Sequence, residues 1–172
     1  MTELQTPRLK LRLLNEDDAP MILSLLNQPS FLKNIGDKKV RNLKDATDYI
    51  NNGPLKLYHE AGYCMYCCER LIDGKTIGLS GLIKRDGIAH VEVGFSFLEQ
   101  FQHQGYGSES LQAVIKHAQQ TLNLGTLNAI TNPANIASIG LLTKHGFVQE
   151  GQVTLPEGDL VNLYYLAQSS SQ

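Results

Sequence analysis

The residues best placed to do chemistry are seven in a row: Gln102, His103, Gln104, Gly105, Tyr106, Gly107 and Ser108. They join a predicted strand to the start of a predicted helix. Two glycines let backbone approach a ligand closely, and a helix start offers unpaired N–H groups at the positive end of its dipole. That combination suits an anion, phosphate above all. The same residues would also serve as a plain strand-to-helix turn. A dinucleotide fingerprint is ruled out, because Ser110 stands where its third glycine belongs. Gly74, Lys75 and Thr76 imitate the end of a P-loop. Glu69 replaces that motif's first glycine, however, and hairpin strands flank the segment.

Just upstream, strand alternation puts Val91, Val93, Phe95 and Phe97 on one face and His90, Glu92, Gly94 and Ser96 on the other. A carboxylate beside a phosphate loop suggests a reacting centre next to a phosphate-bearing cofactor, with Glu92 as candidate base. The plainer reading is a solvated strand face. Downstream, Asn135 and Ser138 fit a helix cap and first turn, and Lys144 and Gly146 fit the end of that helix. Cys64, Cys67 and Cys68 crowd one apolar stretch. A C-x-x-C could be a redox pair or half a zinc site. With no second pair and five scattered histidines, we read them as buried strand cysteines and expect no metal.

The elements that must position these residues follow from pattern and punctuation. Leucines alternate with Arg8, Lys10 and Arg12, so Arg8 to Leu14 reads as a strand. Asn15 to Asp18 cap a helix carrying Met21, Ile22, Leu25 and Leu26. A second helix runs from Asn42 to before Gly53 and Pro54, and a short helical stretch reaches Gly62. Strands follow at Tyr63 to Leu71 and Thr76 to Lys84, turned by Asp73 and Gly74. The remaining predicted elements are a strand at Ala89 to Leu98, a helix at Ser108 to Leu122 and a strand at Leu127 to Thr131. A helix at Asn135 to His145 and strands at Phe147 to Leu155 and Leu160 to Ala167 complete the order. This is an α+β chain with seven strands, not the alternation of a Rossmann domain.

At 172 residues, 42% hydrophobic and 19% charged, the chain suits one domain over residues 1–167 with a frayed tail at 168–172. A net charge of -2 disfavours sustained nucleic-acid binding. No apolar run approaches a membrane span and the N-terminus lacks a signal-peptide pattern, so the expected location is the cytoplasm.

In combination, these segments resemble a known family. Gln102, Gly105 and Gly107 match the Q/R-x-x-G-x-G/A pyrophosphate loop of the GNAT N-acetyltransferases. Asn135, Ser138, Lys144, Gly146 and Phe147 match that superfamily's N-x-x-S…K-x-G-F segment. Thr6 to Arg12, the Asp18 and Ala19 helix start, and Val91 to Phe95 are similar to the branch that acetylates ribosomal-protein alanine or serine termini. The resemblance spans roughly Thr6 to Ala167.

It implies a GNAT fold with a mostly antiparallel seven-stranded sheet, two strands of which splay apart, and about four helices. Acetyl-CoA would sit in that splay and carry acetyl to a primary amine by direct attack. Backbone at Phe95 and Phe97 would pair with the pantetheine amides, and an N–H near Phe95 would polarise the thioester carbonyl. The N–H groups of His103, Gln104, Gly105, Tyr106, Gly107 and Ser108 would hold the pyrophosphate, and Asn135 would touch the pantetheine arm. Many relatives carry a tyrosine four residues before the Gly-Phe pair as the acid for the leaving thiolate. Here that position is Leu142, and Ser138 inherits the role. The expected acceptor is a protein or peptide N-terminus, and the loops that would line its site, Gln28 to Val40 and the Pro156 to Asp159 turn, carry no motif that names it. A small-molecule amine, a non-catalytic acyl-CoA-binding module and an unrelated nucleotide-binding domain remain as alternatives.

Overall fold

The structure, a computed structural model, describes residues 3–170. The last two residues of the expected tail, 171 and 172, lie outside them. Eight strands form one sheet in the order β1-β2-β3-β4-β5-β6-β8-β7. They are β1 Leu4–Gln5, β2 Leu9–Arg12, β3 Met65–Arg70, β4 Thr76–Ile83, β5 Glu92–Phe97, β6 Leu127–Thr131, β7 Val148–Thr154 and β8 Leu160–Leu166. The strand beyond the predicted seven is β1, two residues long and paired with Leu11 and Lys10. So short an edge strand has no alternation to read. Every neighbouring pair is antiparallel except β5 and β6, which run parallel and meet at one register pair, Glu92 with Asn128. Beyond it the two strands part.

Among the described residues six helices, against about four expected, flank the sheet: α1 Ala19–Asn27, α2 Pro29–Asn34, α3 Leu43–Ile50, α4 Lys56–Ala61, α5 Tyr106–Lys116 and α6 Ile136–Lys144. Asn15 and Asp18 form a reciprocal capping box at the turn leading into α1. The predicted break at Gly53 and Pro54 does not occur. The chain passes through them as a π-turn, Asn51–Leu55, and enters α4, which stops at left-handed Gly62 (φ 82°). Helix α2 falls in a stretch read as loop; its signal was Pro29 at the first helical position. Helix α5 begins at Tyr106, two residues before its predicted start. The glycines suggested loop, yet Gly105 caps the helix and Gly107 lies within its first turn.

Two apolar clusters hold the layers together. One contains Leu11, Tyr66, Leu111, Val114 and Phe147; the other packs α1 and α3 on Leu79 and Cys67. The cysteines are buried and free. Cys68 joins the first cluster and Cys67 the second, on opposite faces of β3, and a C-x-x-C laid out along a strand likewise aims its two thiols apart. Burial pushes the Cys64 and Cys67 thiols up to about 12. Among the described residues no cluster of His, Cys, Asp and Glu could hold a metal, and no helix is long and apolar enough to cross a membrane.

Candidate active site

After β5 the chain makes a short 3-10 turn, Glu99–Phe101, and reaches α5 through Gln102–Gly105. His103 and Gly105 are both left-handed, with φ of 61° and 86°. Such a backbone costs a non-glycine residue about 1–2 kcal/mol, and histidine is among the few that adopt it more often. Among the described residues, none of the six backbone N–H groups from His103 to Ser108 has an acceptor. A row of free donors at a helix start fits an anion. A Cβ on Gly107 would stand 3.2 Å from a Leu141 methyl, in the space beside those donors. Gly105, Tyr106, Gly107, His103 and Gln102 line a cleft of about 190 Å³ there.

The side chains of this loop are mostly committed elsewhere. The Gln102 amide donates to the Phe97 carbonyl at 2.9 Å, and Gln28 donates to the same oxygen at 2.8 Å. Both therefore lock the end of β5. Gln104 reaches back to the Gln100 carbonyl at 3.0 Å, and the Ser108 hydroxyl meets His145 Nε2 at 2.8 Å. Of the predicted loop residues, Gln102, His103, Gly105, Tyr106 and Gly107 line the cleft, whereas Gln104 and Ser108 do not.

The Val91 carbonyl accepts from the Asn128 N–H at 2.9 Å, so the odd-numbered peptides of β5 face β6. Past the parting point Phe95 therefore presents N–H and C=O into the gap, as an added strand would require. Phe97 keeps only its N–H free, its carbonyl being taken by the two glutamines. Asn128 pins the parting: Oδ1 accepts from the His90 N–H at 3.0 Å, and Nδ2 donates to the Tyr164 carbonyl at 2.9 Å. Across the gap, Asn135 Oδ1 caps α6 by accepting from the Ser138 N–H at 3.2 Å. Ser138 enters that bond through its N–H and not its hydroxyl, and the residue borders both this cleft and the next. Leu142 is buried.

The second cleft, of about 590 Å³, shares Phe95, Ser96, Asn135 and Ser138 with the first and continues it. Glu92 lines it but is buried, contrary to a solvated strand face. The turn at Asp86 and Gly87 (φ 83°) folds Arg85 back onto it, with Nε 2.9 Å from Glu92 Oε2 and Nη2 3.5 Å from Oε1. Burial pushes the Glu92 carboxyl up and Arg85 draws it back, leaving it above its ordinary value. Sequence reading missed this partner, although an Asp-Gly turn between two charged residues was the signal. It also missed Tyr49, whose phenol is pushed up by burial and so stays protonated at the cleft wall. The segments read as acceptor-side loops do border this cleft, through Phe31 to Lys38 and through Glu157 and Asp159.

Comparison with known proteins gives one consistent result. Residues 8–148 match the family model described as an acetyltransferase (GNAT) domain. The chain is 28% identical to the N-acetyltransferase YoaA of Bacillus subtilis (strain 168), over 86% of this chain and 84% of that one. Against the N-acetyltransferase p20 of Bacillus licheniformis identity is 27%, over 95% and 94%. An acetyltransferase structure from Agrobacterium tumefaciens superposes with a TM-score of 0.83 at 24% identity, covering 98% and 95%. So does a Salmonella typhimurium enzyme that modifies the N-terminal serine of ribosomal protein L7/L12, with a TM-score of 0.79 at 21% identity, covering 96% and 99%.

Proposed function

Because the chain belongs to the GNAT acetyltransferase family, we propose that it moves acetyl from acetyl-CoA to the α-amine of a protein or peptide N-terminus. The observation that carries the reading is one continuous passage. It leads from the free N–H row at His103 to Ser108, past the open edge of Phe95 and the Ser138 hydroxyl, to Glu92. Enzymes of this family use acetyl-CoA, and its thioester supplies the acetyl group. The loop N–H groups and the α5 dipole hold its phosphates. Phe95 N–H donates to the thioester oxygen, where charge develops as the amine attacks. The Ser138 hydroxyl donates to the departing sulfur.

The acceptor follows from proton arithmetic. An α-amine with a pKa of about 7.7–8.0 is about 10–15% neutral at pH 7, whereas a lysine-like amine at about 10.4 is neutral roughly once in 2,500. Glu92 is tied to Arg85 and buried, so proton removal through it runs by way of a water or after the pair loosens. An acceptor already partly neutral asks least of such a base. Relatives of this shape that acetylate ribosomal-protein N-termini support the same choice. The test is release of free thiol from acetyl-CoA, dependent on added peptides with free α-amines. Turnover with lysine-only or polyamine acceptors, and none with α-amines, would reverse the acceptor assignment. Binding without any amine-dependent release would leave a CoA-binding module.

A further inference from the structure

A carboxylate stands where the phosphate site can least tolerate one. Glu109 lies in the first turn of α5, whose N–H groups are the proposed anion donors. A negative charge there satisfies the helix dipole by itself and opposes a bound phosphate. The structure shows that charge answered by one cation, Arg8, with the Thr6 hydroxyl beside it. Glu109 Oε2 accepts from Arg8 Nε at 2.7 Å, and Oε1 accepts from the Arg8 N–H at 2.7 Å and the Thr6 hydroxyl at 2.5 Å. Burial raises the Glu109 carboxyl, but these partners outweigh it and hold it below its ordinary value.

The same guanidinium grips the loop. Arg8 Nη1 donates to the Gln104 carbonyl at 2.9 Å, and the group lies 4.3 Å from the centre of the Tyr106 ring. A Cβ on Gly105 would stand 3.1 Å from Nη2. The Gln104 carbonyl and the Gly105 N–H share one planar trans peptide, so they point in opposite directions. Fixing the oxygen on Arg8 therefore aims the Gly105 N–H away from it, into the row of donors. Lysine could supply the charge but not both contacts, since only the guanidinium has forked donors.

We infer that Arg8 is a positioning residue that sets the affinity for the phosphates of acetyl-CoA, by cancelling Glu109 and by orienting the peptide between Gln104 and Gly105. This rests on the loop being the acetyl-CoA site. The experiment is calorimetric titration of acetyl-CoA into wild type, R8M, R8K, E109Q and R8M/E109Q. KM is also measured for S-acetylpantetheine, which keeps the thioester but lacks the phosphates. R8M should weaken acetyl-CoA about tenfold and R8K about threefold, while E109Q tightens it about threefold. The double variant should recover to within about threefold of wild type, and KM for S-acetylpantetheine should stay within about twofold throughout. A mere structural clamp would lower melting temperature in R8M and would affect acetyl-CoA and S-acetylpantetheine alike, without regard to phosphate. Unchanged acetyl-CoA affinity in R8M, a double variant no better than R8M, or equal losses with S-acetylpantetheine would each overturn the inference. Should R8M not fold, E109Q decides alone, and unchanged or weaker binding counts against it. A wild-type protein that binds no acetyl-CoA removes the underlying reading and this inference with it.

Discussion

The two ends of the cleft are built on different principles. At the proposed phosphate end the groups on offer are backbone N–H groups, and the side chains of Gln102, Gln104 and Ser108 are spent on holding the loop in shape. At the proposed amine end the groups on offer belong to side chains, Glu92 on a strand and its partner Arg85 on a turn, with Tyr49 of α3 in the wall beside them. Backbone donors are set by local conformation, so the first end tolerates almost any residue that preserves the turn. It fails where bulk enters or where a support of the loop such as Arg8 is lost. The second end depends on charge and protonation, and conservative changes should alter it.

The largest expected effect follows from bulk. Gly107→Val would place a branched side chain in the first turn of α5, 3.2 Å from Leu141 at its Cβ and in the space beside the free donors. Acetyl-CoA affinity should fall by about a hundredfold or more, because the loss of several charge-assisted bonds compounds. Calorimetry on the folded variant checks this. Unchanged affinity would mean that the N–H row is not the phosphate site.

At the amine end, Glu92→Gln should lower kcat/KM by about tenfold to a hundredfold, the lower part of the usual range for a general base. The residual rate should climb with pH as the acceptor deprotonates. Arg85→Met gives a sharper test. Arg85 lowers the Glu92 pKa and burial raises it, so removing Arg85 should drive that pKa further up. The acid limb of the kcat/KM profile should then move to higher pH. A limb that does not move would make the carboxylate structural. Ser138→Ala should lower kcat severalfold with little change in melting temperature, since the cap of α6 is the Asn135 side chain. Asn135→Ala should instead cost about 1 kcal/mol of stability. The reverse pattern would show that Ser138 only helps the helix to start.

The same contrast explains what could be read in advance. Glycine spacing and a strand-to-helix junction are properties of neighbours in sequence, so the loop at Gln102 to Ser108 was legible, as were the hairpin at Gly74 and all strands but β1. Glu92 was legible as a carboxylate on a strand but not as a buried one. Its environment comes from Arg85 across a turn and from a cleft wall assembled by α2 and α3. Arg8 was read as one charge in an alternating strand and as part of the Thr6 to Arg12 resemblance, not as a partner of the loop. Its role depends on Glu109, 101 positions away. Long-range charge pairs leave no periodic trace in a single sequence, whereas caps and turns do.

The smallest expected effect joins the phosphate end to the end of α6. His145 caps that helix and bonds Ser108, and burial, with Lys144 beside it, holds its pKa below the ordinary 6.5. A histidine depressed in the folded state favours its neutral form there. The stability it contributes is therefore present above the unfolded value and is lost as pH falls through the folded one. His117, also depressed by burial, acts with the same sign, so His145 carries only part of the slope. Between pH 7.5 and 5.5 the urea midpoint of wild type should fall more than that of His145→Gln, which keeps a side-chain partner for Ser108 but cannot titrate. A phosphate on the neighbouring donors would favour the imidazolium and raise the His145 pKa. With saturating acetyl-CoA the difference between the two proteins should therefore shrink, and with S-acetylpantetheine it should not. Equal slopes for both proteins without ligand would show that the Ser108–His145 contact is too exposed to matter. A difference that acetyl-CoA leaves untouched would place the phosphates away from this end of the cleft.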